Sequence, residues 1–194
     1  MAGIEGKALL RKEILRRRKL LSLDQVNMLS QQLKTQLLHW VKDHSIKSCH
    51  CFLPIERNRE VNTWPIIRAL YHQGKQIILT QTDFEREIML HFEYDPAVTF
   101  ELDQFQIPTP VNARSADMSK ADVVLVPLLA ADKQGGRIGY GKGYYDRLIS
   151  EMAADVMKIG LTLGACFDKF SFLEPHDQKL DYCITPYEAI DCYA

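Results

Sequence analysis

Residues 122–129 read Asp-Val-Val-Leu-Val-Pro-Leu-Leu, apolar on both alternating faces. A strand of this kind has no side to offer to water. It needs cover on both faces, the environment of a parallel strand inside an α/β sheet flanked by helices. The surrounding sequence supplies matching elements. Cys49 to Ile55 is a short apolar run that breaks at Pro54. Asn62 or Thr63 can open a helix with Pro65 in its first turn and Gly74 at its close. Gln76 to Thr82 reads as a second strand and Ile88 to Tyr94 as a third. Asp95 to Lys120, with Pro96, Pro108 and Pro110, reads as a long connection. Gly143 to Met152 can be a helix, Val156 to Phe167 contains another strand, and Tyr182 to Thr185 is a last short one. The expected fold class is α/β, with three α/β/α layers and a mainly parallel central sheet. A length of 194 residues fits a single domain over 1–194.

Ahead of the sheet the pattern is helical. Leu10, Ile14 and Leu21 share one face of Met1 to Leu21, and Lys7, Arg11 and Arg18 share another. At roughly 100° per residue the two stripes lie only about 60° apart, so the basic stripe flanks the apolar seam. Ser22 with Gln25 forms a capping box for a second helix, continued by Val26, Leu29, Leu33, Leu37 and Trp40. This N-terminal helical pair is expected to pack on the sheet.

The chemistry concentrates in Asp132 to Arg147, D-K-Q-G-G-R-I-G-Y-G-K-G-Y-Y-D-R. Gly135, Gly136, Gly139, Gly141 and Gly143 are half of the chain's 10 glycines, and they fall between the most apolar strand and a helix. Glycine lets backbone N–H groups converge, and a helix N-terminus adds partial positive charge. Arg137 and Lys142 add two full charges, so the turn has the parts of a polyphosphate cradle. Gly136 to Lys142 fits G-x-x-x-x-G-K, but Gly143 stands where a Walker loop has its Mg²⁺-ligating hydroxyl. Gly139, Gly141 and Gly143 miss the dinucleotide spacing too. Asp146, just past the loop, can serve as a metal ligand. Tyr144 and Tyr145 can stack on a flat heterocycle or pack the helix start.

The run resembles the signature of the 5-formyltetrahydrofolate cyclo-ligase family. The residues that carry the likeness are V-L-V-P-L-L-A-A-D at 124–132 and R-I-G-Y-G-K-G-Y-Y-D-R at 137–147. Supporting matches are Lys7-x-x-x-Arg11, Glu60-Val61-Asn62-Thr63, Ile107-Pro108-Thr109-Pro110 and Pro175-His176-Asp177-x-x-x-Asp181. The segment Leu53 to Glu60 is longer than the family pattern. The resemblance implies a Rossmann-like sheet. It also implies ATP-dependent cyclisation of 5-formyltetrahydrofolate to 5,10-methenyltetrahydrofolate, with Mg²⁺ as cofactor and ADP and phosphate as products. Lys7, Arg11 and the run Arg137, Ile138, Gly139, Tyr140, Gly141, Lys142, Gly143, Tyr144 and Tyr145 are implied to bind ATP. Lys142 and Arg137 are implied to be catalytic. Glu60, with Gly141, Lys142, Gly143 and Tyr144, is implied to hold the folate. Asp146 and Asp177 are implied to hold the metal, with Asp181 as the competitor of Asp177.

Three other readings stay open on the residues. One is a P-loop-like small-molecule kinase. Another is a nucleic-acid-binding protein that uses the basic N-terminal helix. The third is a phosphate-sensing module of related α/β fold with no turnover. Lys and Arg total 24 against 25 Asp and Glu, a net charge of −1, which argues against nucleic acid or an anionic membrane as partner. No apolar run approaches the roughly 20 residues of a membrane helix, and Met1 to Leu21 lacks a signal-peptide core. A cytoplasmic monomer is expected. Five cysteines, an odd number, suit a reducing compartment. Cys49-His50-Cys51 lacks zinc spacing and lies in a strand, and Cys166, Cys183 and Cys192 read as buried or incidental thiols.

Overall fold

A computed structural model describes residues 2–83, 85–172 and 177–194. Helices α1 (Ala2–Arg18) and α2 (Leu23–Asp43) come first, joined at the expected capping box. The Gln25 N–H donates to Ser22 Oγ at 3.1 Å, and the Ser22 N–H donates to Gln25 Oε1 at 2.8 Å. Strand β1 (Ser48–Cys51), helix α3 (Trp64–His72), β2 (Gln76–Asp83) and β3 (Ile88–Glu93) follow. Next are β4 (Thr99–Leu102), β5 (Pro108–Val111), β6 (Val123–Pro127), β7 (Ala130–Ala131) and β8 (Arg137–Ile138). Helix α4 (Tyr144–Glu151) leads to β9 (Met157–Leu161), β10 (Tyr182–Ile184) and β11 (Ala189–Asp191).

The main sheet has seven strands in the order β11-β10-β9-β6-β1-β2-β3. The pairs from β10 to β2 are parallel, and only the edge strands β3 and β11 are antiparallel. β6 lies in the middle, buried on both sides as its composition requires. Val123 and Leu125 join a core with Val26, Leu33 and Leu37 of α2 and Ile66, Ile67 and Leu70 of α3. Val124 and Val126 join a second core with Leu148 and Ile149 of α4. Helices therefore cover both faces, which makes three layers.

The N-terminal pair divides its work. α2 packs on the sheet, whereas Leu10, Ile14 and Leu15 of α1 pack on Leu129, Ala130, Ile138 and Phe170. α1 thus seats on the small β7–β8 hairpin, outside the sheet layer. The stretch 95–120 is also more ordered than a connection. β4 and β5 pair antiparallel, Phe100 opposite Pro110 and Leu102 opposite Pro108. A two-stranded ribbon has two free edges, so prolines without N–H groups can stay in it.

One topological fact positions the site. From β1 the chain crosses through α3 to β2 on one side, and from β6 it crosses through α4 to β9 on the other. The winding reverses between β1 and β6. In open α/β sheets the crevice outside the carboxyl ends of such a strand pair is where ligands bind. The segment bearing Glu60 leaves from the end of β1, and the glycine-rich segment leaves from the end of β6.

Candidate active site

The glycine-rich segment is shaped from below by Asp132. This carboxylate is fully buried. Its Oδ1 accepts from the N–H groups of Gly136 at 2.7 Å and Gln134 at 3.0 Å, and its Oδ2 accepts from Phe170 N–H at 2.7 Å. Each bond is charge-assisted, and together they close the turn between β7 and β8. Gly135, in that turn, has φ +83°, and a Cβ there would lie 2.5 Å from the Leu180 carbonyl oxygen. Only glycine fits the position.

α1 then lies across the loop. Arg11 Nε donates to the Gly139 carbonyl at 2.8 Å. Its guanidinium carbon would be 3.1 Å from a Cβ on Gly141, whose φ is +87°. Lys7 Nζ pairs with Asp177 Oδ2 at 2.5 Å. Arg18 is buried and donates to the Tyr140 hydroxyl at 3.0 Å. The stripe of Lys7, Arg11 and Arg18 is therefore turned into the protein, toward the loop, whereas Lys12, Arg16, Arg17 and Lys19 are exposed.

Arg137 sits at the centre. It is buried, pairs with Asp146 Oδ1 at 2.5 Å and donates to the Gln178 carbonyl. Burial lowers its pKa from the ordinary guanidinium value, and the charges of Asp146 and Asp177 oppose that drop. Both expected metal carboxylates thus act on one guanidinium, although neither shares a cluster of three metal-ligating side chains among the described residues. Two carboxylates still fit Mg²⁺, which keeps several waters and takes its other oxygens from phosphates. Asp181 is committed elsewhere, to Lys158 Nζ at 3.1 Å, the Lys158 N–H at 2.7 Å and the Tyr193 hydroxyl at 3.0 Å. Pro175 and His176 lie outside the described residues.

Lys142 stands exposed at the loop tip, beside Gly143, which caps α4. Tyr144 carries the Arg147 guanidinium 4.8 Å from its ring centroid. Ile138 and Tyr145 turn inward. Ile138 is 1% exposed, and the Tyr145 hydroxyl is buried without a hydrogen-bond partner among the described residues.

Glu60 is not an exposed loop acid. It is 4% exposed, and its Oε2 accepts the Ile55 N–H at 2.9 Å. Burial raises its pKa, against the lowering effect of the Tyr140 hydroxyl, the Ile55 N–H and Arg18. Burial first, then Glu60, pushes the Tyr140 phenol up. Tyr140 is thus the link between the glycine loop and the acid at the end of β1. Asp132 and the link through Arg18 and Tyr140 were not legible as site features. Asp132 ahead of Gly135-Gly136 was a signal for a side-chain-closed turn, and Arg18 shares a stripe with Lys7 and Arg11.

The model of the 5-formyltetrahydrofolate cyclo-ligase family matches residues 3–186. The chain belongs to that family. It is accordingly an enzyme of the ligase class. An Escherichia coli 5-formyltetrahydrofolate cyclo-ligase is 29% identical over 139 residues, 70% of this chain and 75% of that protein. The Saccharomyces cerevisiae 5-formyltetrahydrofolate cyclo-ligase is 26% identical over 201 residues, 92% of this chain and 93% of its own. The solved structure of Aquifex aeolicus 5,10-methenyltetrahydrofolate synthetase superposes with a TM-score of 0.80 at 25% identity, covering 97% of this chain and 93% of that one. No helix among the described residues of this family member is long and apolar enough to cross a membrane.

Proposed function

We propose that this family member binds ATP and 5-formyltetrahydrofolate in the crevice between β1 and β6 and closes the folate to 5,10-methenyltetrahydrofolate, releasing ADP and phosphate. The observation that carries this reading is the joining of two unlike half-sites: Tyr140 of a cationic glycine loop meets the buried acid Glu60. A polyanion suits the first half and a neutral heterocycle with N–H donors suits the second.

The formyl oxygen of the substrate is a poor leaving group. Transfer of the γ-phosphoryl group to it converts it into a good one. N10 then attacks the activated carbon, the ring closes, and phosphate departs with the former formyl oxygen. Phosphoryl transfer asks for positioning and charge neutralisation more than for a side-chain nucleophile. The N–H groups of the loop, Lys142 and Arg137 neutralise the moving phosphoryl group, and Lys7 and Arg11 hold the rest of the polyphosphate. Asp146 and Asp177 would hold Mg²⁺, which supplies further charge neutralisation on the phosphates when bound. Their present cations, Arg137 and Lys7, would then be free to turn to phosphate oxygens. Glu60 offers two acceptor oxygens to the ring N–H and adjacent amino group of the pterin. Tyr144, at the loop's end, contributes an aromatic face to the same substrate.

The test mixes purified protein with 5-formyltetrahydrofolate and MgATP and follows the methenyl chromophore. One ADP and one phosphate per folate cyclised are expected, and EDTA is expected to stop turnover. No chromophore, or equal turnover without nucleotide, refutes the reading.

A further inference from the structure

All five cysteines are free thiols, and they fall into two settings. Cys49 and Cys51 on β1 are buried in the core under α2 and α3. Cys166 and Cys183 are different. Cys183 lies on β10, paired across from Gly160 of β9, and is fully buried. Cys166 follows β9 and is partly exposed. Their sulfurs stand 2.8 Å apart. A disulfide bond is about 2.05 Å long, so the two atoms need to close by only about 0.8 Å. We propose that Cys166 and Cys183 form an oxidisable dithiol, a modification site that a peroxide closes to an intramolecular disulfide.

The two thiols divide the chemistry by their surroundings. Cys166 is the one that a small oxidant can reach. The hydrogen bond with Cys183 lowers the Cys166 pKa, because the remaining S–H donates to the Cys166 thiolate, and the same bond raises that of Cys183. The thiolate is the reactive form. The Cys166 thiolate attacks one peroxide oxygen, and the O–O bond breaks. The departing hydroxide takes up the proton that the thiol released and leaves as water, and Cys166 becomes a sulfenic acid. The Cys183 thiol then attacks that sulfur. Its proton goes to the departing hydroxyl, a second water leaves, and the Sγ–Sγ bond forms. Two thiols and one peroxide give one disulfide and two waters.

The site lies beside the glycine loop without belonging to it. The N–H of Phe167, next to Cys166, donates to the Ala131 carbonyl at 2.9 Å, and its own carbonyl accepts from the Lys133 N–H at 2.9 Å. Lys133 in turn pairs with Asp168 at 2.7 Å. These bonds hold Cys166 in place over Cys183. Cys192, buried nearby, raises the Cys183 pKa and is the competing partner.

The experiment exposes the full chain to a hydrogen peroxide titration, blocks the remaining thiols with iodoacetamide after unfolding, and maps the peptides. A Cys166–Cys183 cross-link is expected, with an intact-mass loss of about 2 Da that dithiothreitol restores. Cys192→Ser should keep the cross-link, and Cys166→Ser should leave Cys183 fully alkylated. Sulfinic acid on Cys166 with Cys183 still a free thiol would overturn the proposal, as would a Cys166–Cys192 bond or a cross-link between chains. The readout is covalent, so it stands apart from the outcome of the cyclisation assay.

Discussion

Acid should unfold this protein partly through one histidine. His50, on β1, is fully buried. Its Nε2 meets the Thr80 hydroxyl, which also meets His91 Nδ1 at 2.9 Å, while its Nδ1 has no hydrogen-bond partner among the described residues. Burial first, and then the neighbouring His91, lowers its pKa to about 3 from an unfolded value of 6.5. The unfolded chain therefore binds the proton more readily. The sign follows: the neutral buried imidazole contributes its full stability above pH 6.5, and that contribution is lost as the pH falls toward 3. At pH 5 the unfolded His50 is about 1.5 units below its own pKa and the folded one is still neutral. At 1.36 kcal/mol per unit the loss is about 2 kcal/mol. Urea titrations at pH 7 and pH 5 would measure it. His50→Gln keeps a polar group for Thr80 but does not titrate. It should be less stable than the natural protein at pH 7 and should lose about 2 kcal/mol less between the two pH values. An equal loss in both proteins would show that His50 carries no buried-neutral penalty.

Other expectations concern the site. Lys142→Met should lower kcat/KM on the order of 10²-fold or more in steady-state cyclisation while circular dichroism stays unchanged, since the lysine is an exposed loop residue. Glu60→Gln sets an NH₂ donor against the pterin donors or the Ile55 N–H, and should raise the folate KM by about 10- to 150-fold, from roughly 1.5–3 kcal/mol. The ATP KM at saturating folate should hold. Gly135→Ala forces a Cβ to 2.5 Å from a backbone oxygen at positive φ. It should lower the thermal midpoint by several degrees, from about 1–2 kcal/mol of left-handed strain plus the clash.

The layered fold was legible because β6 is apolar on both faces, and a sequence can state that without help from the rest of the chain. The β7–β8 hairpin and β11 were not. At two or three residues each, they carry no period to read. The β4–β5 ribbon hid behind Pro108 and Pro110, which signal a break everywhere except on a free edge. Around the candidate site, Arg137, Lys142 and the glycines stood out through charge and glycine spacing, and the roles of Lys7 and Arg11 came with the family resemblance. The burial of Glu60 did not, because it depends on Tyr140 and Arg18 arriving from distant parts of the chain. The proximity of Cys166 to Cys183 was equally invisible, since nothing local in 162–182 announces which thiol β10 will present.

The clasp of α1 ties this site to the order in which the chain is made. Arg11 meets a carbonyl 128 residues later, and Lys7 meets an acid 170 residues later. Lys7 and Arg11 must wait for those distant segments to be made before they find their partners. A nascent chain arrested before Asp177 holds the glycine loop and Glu60 and keeps the partners of Arg11 and Arg18, but it lacks the acid that Lys7 pairs with. The Lys7–Asp177 ion pair can therefore form only after the glycine loop and Glu60 have already been made.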